Sequence, residues 1–144
     1  MQKAKDYSGT PLWQKLGIRP AARVVVLRSP VPLDALLGEL PVGVEVKQRA
    51  ASDAAVVLLF CRSLAQLRAD WPAAVRCLGE RAGLWVAWPK QASGQTTDLT
   101  DAVVRAFALD QGLVDNKVCA IDRTWSGLRF ARRVAGRAAA RAGK

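Results

Sequence analysis

The sequence predicts a single α/β domain, in which a mostly parallel, Rossmann-like sheet carries helices on both faces and ends in an antiparallel hairpin. Short apolar runs rich in β-branched residues alternate along the chain with segments whose apolar residues recur at helical spacing. The last two apolar runs are too close together for a crossover connection, so they must pair as a hairpin. The 144 residues, 51% of them hydrophobic, are enough for one domain with a substantial core.

The first half of the chain is predicted to contain two helices and three strands. Proline at the first helical position and a glycine just past the end predict a short helix over residues 10–17. The β-branched run at residues 23–27 predicts a buried strand, and the leucines that follow predict a helix ended by Pro41-Val42-Gly43. Two further strands are predicted at residues 44–47 and 54–61.

The middle of the chain is predicted to contain a capped helix and a strand. Ser63 is an N-cap residue, and leucines, Trp71 and Val75 then share one helical face. Pro72 is predicted to kink or restart this helix, because proline has no N–H and its ring disrupts the preceding turn. The apolar run at residues 84–88 predicts the next strand.

The last part of the chain is predicted to contain one helix and the hairpin. The helix is predicted to begin at Asp98 and to stop at Gly112. Strands at residues 117–121 and 128–132 are predicted to be joined by a tight turn at residues 124–127.

The net charge of +10 comes from the two ends of the chain. Residues 1–28 hold six Lys or Arg and one acidic residue, and residues 123–144 hold seven and none. We expect residues 1–132 to form the domain and residues 133–144 to be a basic, flexible tail. Such a tail can contact nucleic acid non-specifically through phosphates or can simply keep the protein soluble.

The composition excludes several kinds of chemistry. Histidine is absent, so no Ser-His-Asp or Cys-His arrangement exists. The three cysteines are far apart and lie in apolar runs, so neither a metal site nor a redox pair is predicted. The longest apolar run, at residues 54–61, is too short to span a bilayer, and no signal peptide is visible. We therefore expect a cytoplasmic protein without a membrane partner.

The approach to the strand at residues 84–88 reads Leu-Gly-Glu-Arg-Ala-Gly-Leu-Trp-Val over residues 78–86. Together with the terminal hairpin, this pattern resembles the C-terminal half of class I methyltransferases. The N-terminal half departs from them, because Pro30 and Pro32 stand where glycines should offer N–H groups to a cofactor. The second strand ends in Lys47 instead of an acid for the ribose. We therefore expect no cofactor, and in particular neither S-adenosylmethionine (SAM) nor NAD.

Two groups of motifs carry a second resemblance. They are Tyr7-Ser8-Gly9-Thr10-Pro11-Leu12 with Lys15-Leu16-Gly17-Ile18, and the stretch from Trp88-Pro89-Lys90 to Phe130. With the segments between them, they resemble, over about residues 7–132, a family of small bacterial proteins described only as a domain of unknown function. This resemblance implies no activity, and the basic tail lies outside it.

Polar residues able to bind or react follow two of the predicted strands. In a parallel sheet, ligands bind beyond the carboxyl ends of the strands. If the last strand pairs with residues 84–88, the two polar segments meet at one edge. The candidate ligand-binding residues are Lys90, Ser93, Gly94, Thr97, Asp98, Asp122, Trp125 and Ser126.

Three functions remain open for this edge. The leading hypothesis is a non-catalytic domain that binds a small anionic or phosphorylated ligand at Lys90, at nearby hydroxyls and at the N-terminus of the helix at Asp98. One alternative is a nucleic-acid-associated protein that uses its basic termini. The other is an enzyme with Asp122 or Asp98 as the acid or base, in which Lys90 stabilises developing negative charge. A purely structural role, as helix cap and turn residues, also explains much of the pattern.

Overall fold

A computed structural model describes residues 11–132 as one six-stranded sheet with helices on both faces. Residues 1–10 and the basic tail predicted at residues 133–144 lie outside the described residues. The helices are α1 (Leu12–Leu16), α2 (Leu33–Leu37), α3 (Leu64–Cys77) and α4 (Asp101–Asp110), and the strands are β1 (Arg23–Leu27), β2 (Glu45–Lys47), β3 (Ala54–Phe60), β4 (Leu78–Pro89), β5 (Leu113–Ala120) and β6 (Trp125–Arg132).

The strand order in the sheet is β2-β1-β3-β4-β6-β5. The first four strands are parallel, whereas β6 pairs antiparallel with both β4 and β5. The last strand therefore inserts between β4 and β5, which meets the condition under which the two polar segments were expected to lie at one edge. The α/β fold with a terminal antiparallel hairpin is confirmed.

Side chains alternate between the two faces of the central strand β4, and each face has its own core. Leu84 and Val86 belong to the core under α3 and α4, where Trp71 and Phe107 pack edge to face with ring centroids 5.1 Å apart. Trp85, on the opposite face, belongs to the core under α1 and α2. Since Trp85 Nε1 also donates a hydrogen bond to the Leu16 carbonyl at 3.1 Å, it ties α1 to the sheet.

Two expectations for the helices differ from the structure. The helix α2 ends at Gly38, whose φ of 68° breaks the helical backbone well before the predicted stop. The helix α3 is capped by Ser63 as predicted, but it continues through Pro72 without a break. Leu67 and Trp71 before the proline, and Ala74 and Cys77 after it, are buried on the inner face, and this packing holds the helix on both sides of Pro72.

The hairpin also differs from the expectation. Trp125, Ser126 and Gly127 belong to β6, and the connection lies at residues 121–124 instead of 124–127. The Asp122 Oδ1 atom forms the turn, because it accepts hydrogen bonds from the N–H groups of Thr124 and Trp125 at 2.8 and 2.9 Å. Serine and glycine both favour turns, but here the pairing of Ser126 and Gly127 with β4 overrides that local preference.

Candidate functional site

The strands β1 and β3 are neighbours, and the chain leaves them in opposite directions along the sheet. The connection after β1 leads to β2 on one side, and the connection after β3 leads to β4 on the other. In α/β sheets this arrangement opens a crevice beyond the carboxyl ends of the two strands, where ligands bind. We call this place the switch point; Arg28 follows β1 there, and Cys61 and Arg62 follow β3.

Arg28 is fixed by an ion pair at the switch point. Its Nε donates to one Asp70 oxygen, and its Nη2 lies 3.3 Å from the other. The hydrogen bond to Asp70, and then its charge, raise the pKa of Arg28. The backbone of Arg28 has a φ of 61°, a conformation that few residues with a side chain adopt. The turn after β1 is therefore built around this arginine.

Arg62 is fixed by three elements. Its guanidinium Nη1 donates to Gln95 Oε1 at 2.6 Å, and its backbone N–H donates to Gln66 Oε1 at 2.7 Å. The guanidinium carbon lies 5.1 Å from the centroid of the Trp125 ring, which is within the range of a cation–π contact. Arg62 thus joins the end of β3 to the loop after β4 and to the start of β6.

The two predicted polar segments come together at this end of the sheet. The N–H of Lys90 donates to the Thr124 carbonyl at 2.8 Å, and Ser126 pairs with Trp88 in the sheet. Most of the loop's polar atoms bind within the loop itself: Ser93 Oγ donates to the Lys90 carbonyl at 2.6 Å, Gly94 turns the chain with a φ of 78°, and Thr97 Oγ1 accepts from Leu99 N at 3.1 Å.

The helix N-terminus expected at Asp98 is not there. The helix α4 begins at Asp101, and Thr100 caps it by accepting a hydrogen bond from Val103 N at 3.2 Å. Asp98 instead reaches across to the first turn of α3, where its Oδ1 accepts from Leu64 N at 2.8 Å. The exposed N–H groups on which the anion-binding hypothesis relied are therefore occupied or displaced.

Sequence reasoning missed two pairs of residues at the switch point: Arg28 with Asp70, and Arg62 with Gln95. Arg28 and Arg62 could have been found, because each directly follows a buried strand and the two strands were predicted to be parallel. Nothing in the local sequence marks Asp70 or Gln95. Their roles depend on where α3 and the loop after β4 pack.

Cys61 also lies at the switch point, but its thiol is poorly suited to act as a nucleophile. It is fully buried. Burial raises its pKa from 9.0 to about 12, with a further increase from the charge of Asp70 and an opposing effect of Arg28. Because the thiolate is the reactive form, Cys61 is chemically inert near neutral pH.

We therefore expect Cys61 to resist an aromatic disulfide reagent at pH 8 in the folded protein and to react fully in urea. The raised pKa also favours folding below pH 9, and this contribution is lost as the pH rises from about 9 towards about 12. Comparing wild type with Cys61→Ala in urea melts at pH 8 and 10 tests the second effect. Rapid labelling of Cys61 in the folded protein would contradict the conclusion that this buried thiol is unreactive.

No group of three or more His, Cys, Asp or Glu side chains within residues 11–132 is placed to hold a metal ion. Over the same residues, no helix is both long and apolar enough to cross a membrane.

No family model and no curated protein matches the chain, so the resemblance to the family of unknown function stays a prediction. Solved structures do match. A SAM-dependent methyltransferase from Aquifex aeolicus superposes with a TM-score of 0.54 at 10% identity, covering 83% of this chain and 86% of that chain. The complex of LepI with SAM gives 0.53 at 12% identity, covering 92% of this chain and 50% of that chain, so this chain spans about half the length of LepI.

These matches correct the leading functional hypothesis. A non-catalytic domain that binds an anionic ligand is not what the matched structures suggest, because SAM-dependent methyltransferases are enzymes. The comparison therefore contradicts that hypothesis and favours the enzyme alternative. At this level of identity, the matches establish the architecture: the chain has a methyltransferase-like α/β fold.

Proposed function

We propose that this protein is an enzyme whose active centre is the switch point, with Asp98 as the acid or base and Arg62 as the group that holds the substrate. The observation that carries the proposal is the fixed position of Arg62. Its guanidinium is held by Gln95 and by the Trp125 ring at the end of β3, beside the α3 turn to which Asp98 is bonded.

SAM is the cofactor that this fold implies, but the turns after β1 and β2 do not fit it. A methyltransferase-like cofactor site needs backbone N–H groups in the turn after β1. Here Pro30 and Pro32 have none. Ser29 Oγ and the backbone of Val31 are bonded to each other: the hydroxyl donates to the Val31 carbonyl at 2.5 Å, and the Val31 N–H lies 3.4 Å from Ser29 Oγ. These groups of the turn bond to each other and are not free to donate to a cofactor.

The end of β2 gives the same result. Lys47 stands where an acid would bind the ribose hydroxyls, and its ammonium pairs with Glu45 at 3.2 Å. Glu45 lies at the other end of this short strand and also binds Arg23 at 2.9 Å. The guanidinium of Arg62, which makes no ion pair within residues 11–132, also repels the sulfonium cation of SAM. The residues of these two turns therefore do not fit SAM.

The chain's own residues suit a substrate with an anionic group. Arg28 and Arg62 each use part of the guanidinium for a fixed partner, which leaves N–H donors available on the solvent side. Charge-assisted hydrogen bonds from two fixed guanidinium groups would orient a carboxylate or phosphate strongly. Since such groups need no reorganisation, they also stabilise negative charge that develops during a reaction.

Asp98 is better placed for proton transfer than Asp122. Both carboxylates accept backbone hydrogen bonds through Oδ1, but Asp122 uses this bond only to close its own turn. Asp98 is bonded to Leu64 N, two residues after Arg62, and among residues 11–132 its Oδ2 accepts no hydrogen bond. A carboxylate with one anchored oxygen and one free oxygen is oriented and still able to take a proton. Lys90, the group expected to stabilise charge, makes no ion pair within the same residues.

The proposal predicts that Asp98→Asn lowers turnover by about 100-fold or more, the usual contribution of a positioned acid or base. The measurement is mass-spectrometric profiling of a defined mixture of phosphorylated and carboxylated metabolites, incubated with the full chain. The fold should survive, because an asparagine Oδ1 can still accept the hydrogen bond from Leu64 N. Asp110→Asn, an exposed change at the far end of α4, is the charge-matched control.

Two results would contradict the proposal. One is that wild-type protein consumes no component of the mixture, with or without added SAM. The other is that Asp98→Asn turns over the same component as fast as Asp110→Asn.

A further inference from the structure

Two cations stand directly opposite each other in the sheet, away from the switch point. Lys117 on β5 is the register partner of Arg129 on β6. Like charges at directly opposite positions destabilise an antiparallel pair. The ion pairs formed within residues 11–132 involve neither residue, so no carboxylate of this part of the chain compensates them.

Arg129 lies flat across the neighbouring strand β4. A Cβ atom placed on Gly83 would come within 2.2 Å of Arg129 Nε and 2.5 Å of its guanidinium carbon. The missing side chain at Gly83 therefore makes the space in which the guanidinium rests. The arginine is half-buried, and this desolvation lowers its pKa. The protein thus keeps a partly desolvated charge without a partner among its described carboxylates.

One further cation, Lys15, extends the same surface. Lys117 Nζ donates to the Lys15 carbonyl at 3.3 Å, which brings β5 to the end of α1. Burial raises the pKa of Cys119, and the charges of Lys15 and Lys117 both act against this increase. We call Lys15, Lys117 and Arg129 the basic face.

The basic face offers charge without an apolar anchor. Protein interfaces have a fully buried apolar or aromatic centre. The exposed large hydrophobic residues of the described chain lie elsewhere, and Val118, although adjacent to Lys117, pairs with Leu128 and points to the opposite side of the sheet. Lys117 and Arg129 stand side by side on neighbouring strands about 4.8 Å apart, and Lys15 lies at the end of α1 next to Lys117. Neighbouring cations without an acidic partner and without an apolar centre are complementary to the phosphates of a nucleic acid backbone.

We propose that the basic face is a docking surface for the phosphate backbone of a nucleic acid. The proposal is independent of the reaction at the switch point, because it uses different residues on β5, β6 and α1. It also differs from binding by the basic termini, since all three cations lie within residues 11–132. Phosphate contacts of this kind position a nucleic acid without reading its sequence.

The test is fluorescence anisotropy of labelled nucleic acid with the full chain, at several salt concentrations. The probes are a duplex DNA, a duplex RNA and a single-stranded RNA, each of about 20 nucleotides per strand. Two phosphate contacts contribute about eightfold each to duplex DNA affinity at 0.1 M salt, so Lys117→Gln with Arg129→Gln should weaken binding by about 60-fold. The slope of log K against log salt should flatten by about 1.8 for duplex DNA and about 1.4 for single strands.

The control variant is Arg68→Gln with Arg76→Gln, which removes the same charge from exposed positions on α3, on the other side of the sheet. It should change affinity by less than about threefold, because it removes no phosphate contact. Since Arg129 is half-buried, the exposed single variant Lys117→Glu tests the surface without disturbing the sheet. It should weaken binding in the same direction without lowering the melting temperature, because it replaces a like-charge pair with Arg129 by an opposite-charge pair.

Three results would overturn the proposal. Equal losses in the face and control variants would show that only net charge matters. Loss of all binding on removal of residues 133–144, with no effect of the face variants, would assign the binding to the tail. Binding of polyglutamate but of no nucleic acid probe would assign the face to an acidic protein.

Discussion

Replacing Trp85 by alanine is expected to destabilise the protein by about 3–5 kcal/mol, the usual range for truncation of a buried tryptophan. Trp85 is fully buried at the centre of the sheet and belongs to the core under α1 and α2. The change would leave a large cavity and remove the partner of the Leu16 carbonyl. Since the whole stability of a domain is about 5–15 kcal/mol, this single change could unfold a large fraction of the protein.

The measurement is urea denaturation followed by circular dichroism, which does not depend on the lost indole. Trp85→Phe is the matched control, because it keeps most of the ring packing and loses the hydrogen bond. It should cost much less than the alanine variant, with about 1–3 kcal/mol due to the unsatisfied carbonyl. A cost below about 1 kcal/mol for Trp85→Ala would contradict the position of α1 on the sheet.

The sheet could be predicted because its central strands are apolar on both faces. The runs that became β1 and β3 are almost wholly buried, and a strand buried on both sides has few other possible positions. The hairpin could be predicted from chain length alone, because no crossover fits in the short connection. These features depend on composition and spacing, which are properties of the sequence itself.

Element boundaries could not be predicted because distant contacts decide them. Asp98 and Thr100 are both good N-cap residues, and local preference cannot choose between them. In the structure, Asp98 is used by the N-terminus of α3, which leaves Thr100 to cap α4. Gly127 has the local character of a turn residue, but a Cβ there would lie 2.9 Å from Ile121 Cδ1. Its glycine is needed for close packing in a strand.

Only part of the candidate site could be predicted, because distant contacts decide the rest. The segments around Lys90 and Asp122 meet because β6 pairs with β4, a strand order that the sequence offered only as a condition. The positions of Arg28 and Arg62 depend on how the chain packs after β1 and β3 end. Arg62 gains its role from Gln95 and Trp125, which lie 33 and 63 positions further along the chain. A contact between residues so far apart leaves no periodic pattern in the sequence from which it could be predicted.

SAM is expected not to bind this protein, with a Kd above about 1 mM, at least a thousandfold weaker than a micromolar cofactor complex. The reason is the chemistry of two turns, not the fold. Pro30 and Pro32 remove the backbone donors after β1, and Lys47 replaces the ribose-binding acid after β2. The guanidinium of Arg62, which has no acidic partner within residues 11–132, adds repulsion toward a sulfonium cation.

Titration calorimetry with SAM and with S-adenosylhomocysteine separates these causes, because the second compound has no sulfonium charge. If the missing donors dominate, neither compound binds. If repulsion alone dominated, S-adenosylhomocysteine would bind and SAM would not. Lys47→Glu is the informative variant: it restores an acid at the end of β2 but leaves the proline turn unchanged, so it too should not bind. Saturable binding of SAM to wild-type protein below about 1 mM would contradict the expectation and would place the cofactor in a site that these two turns do not form.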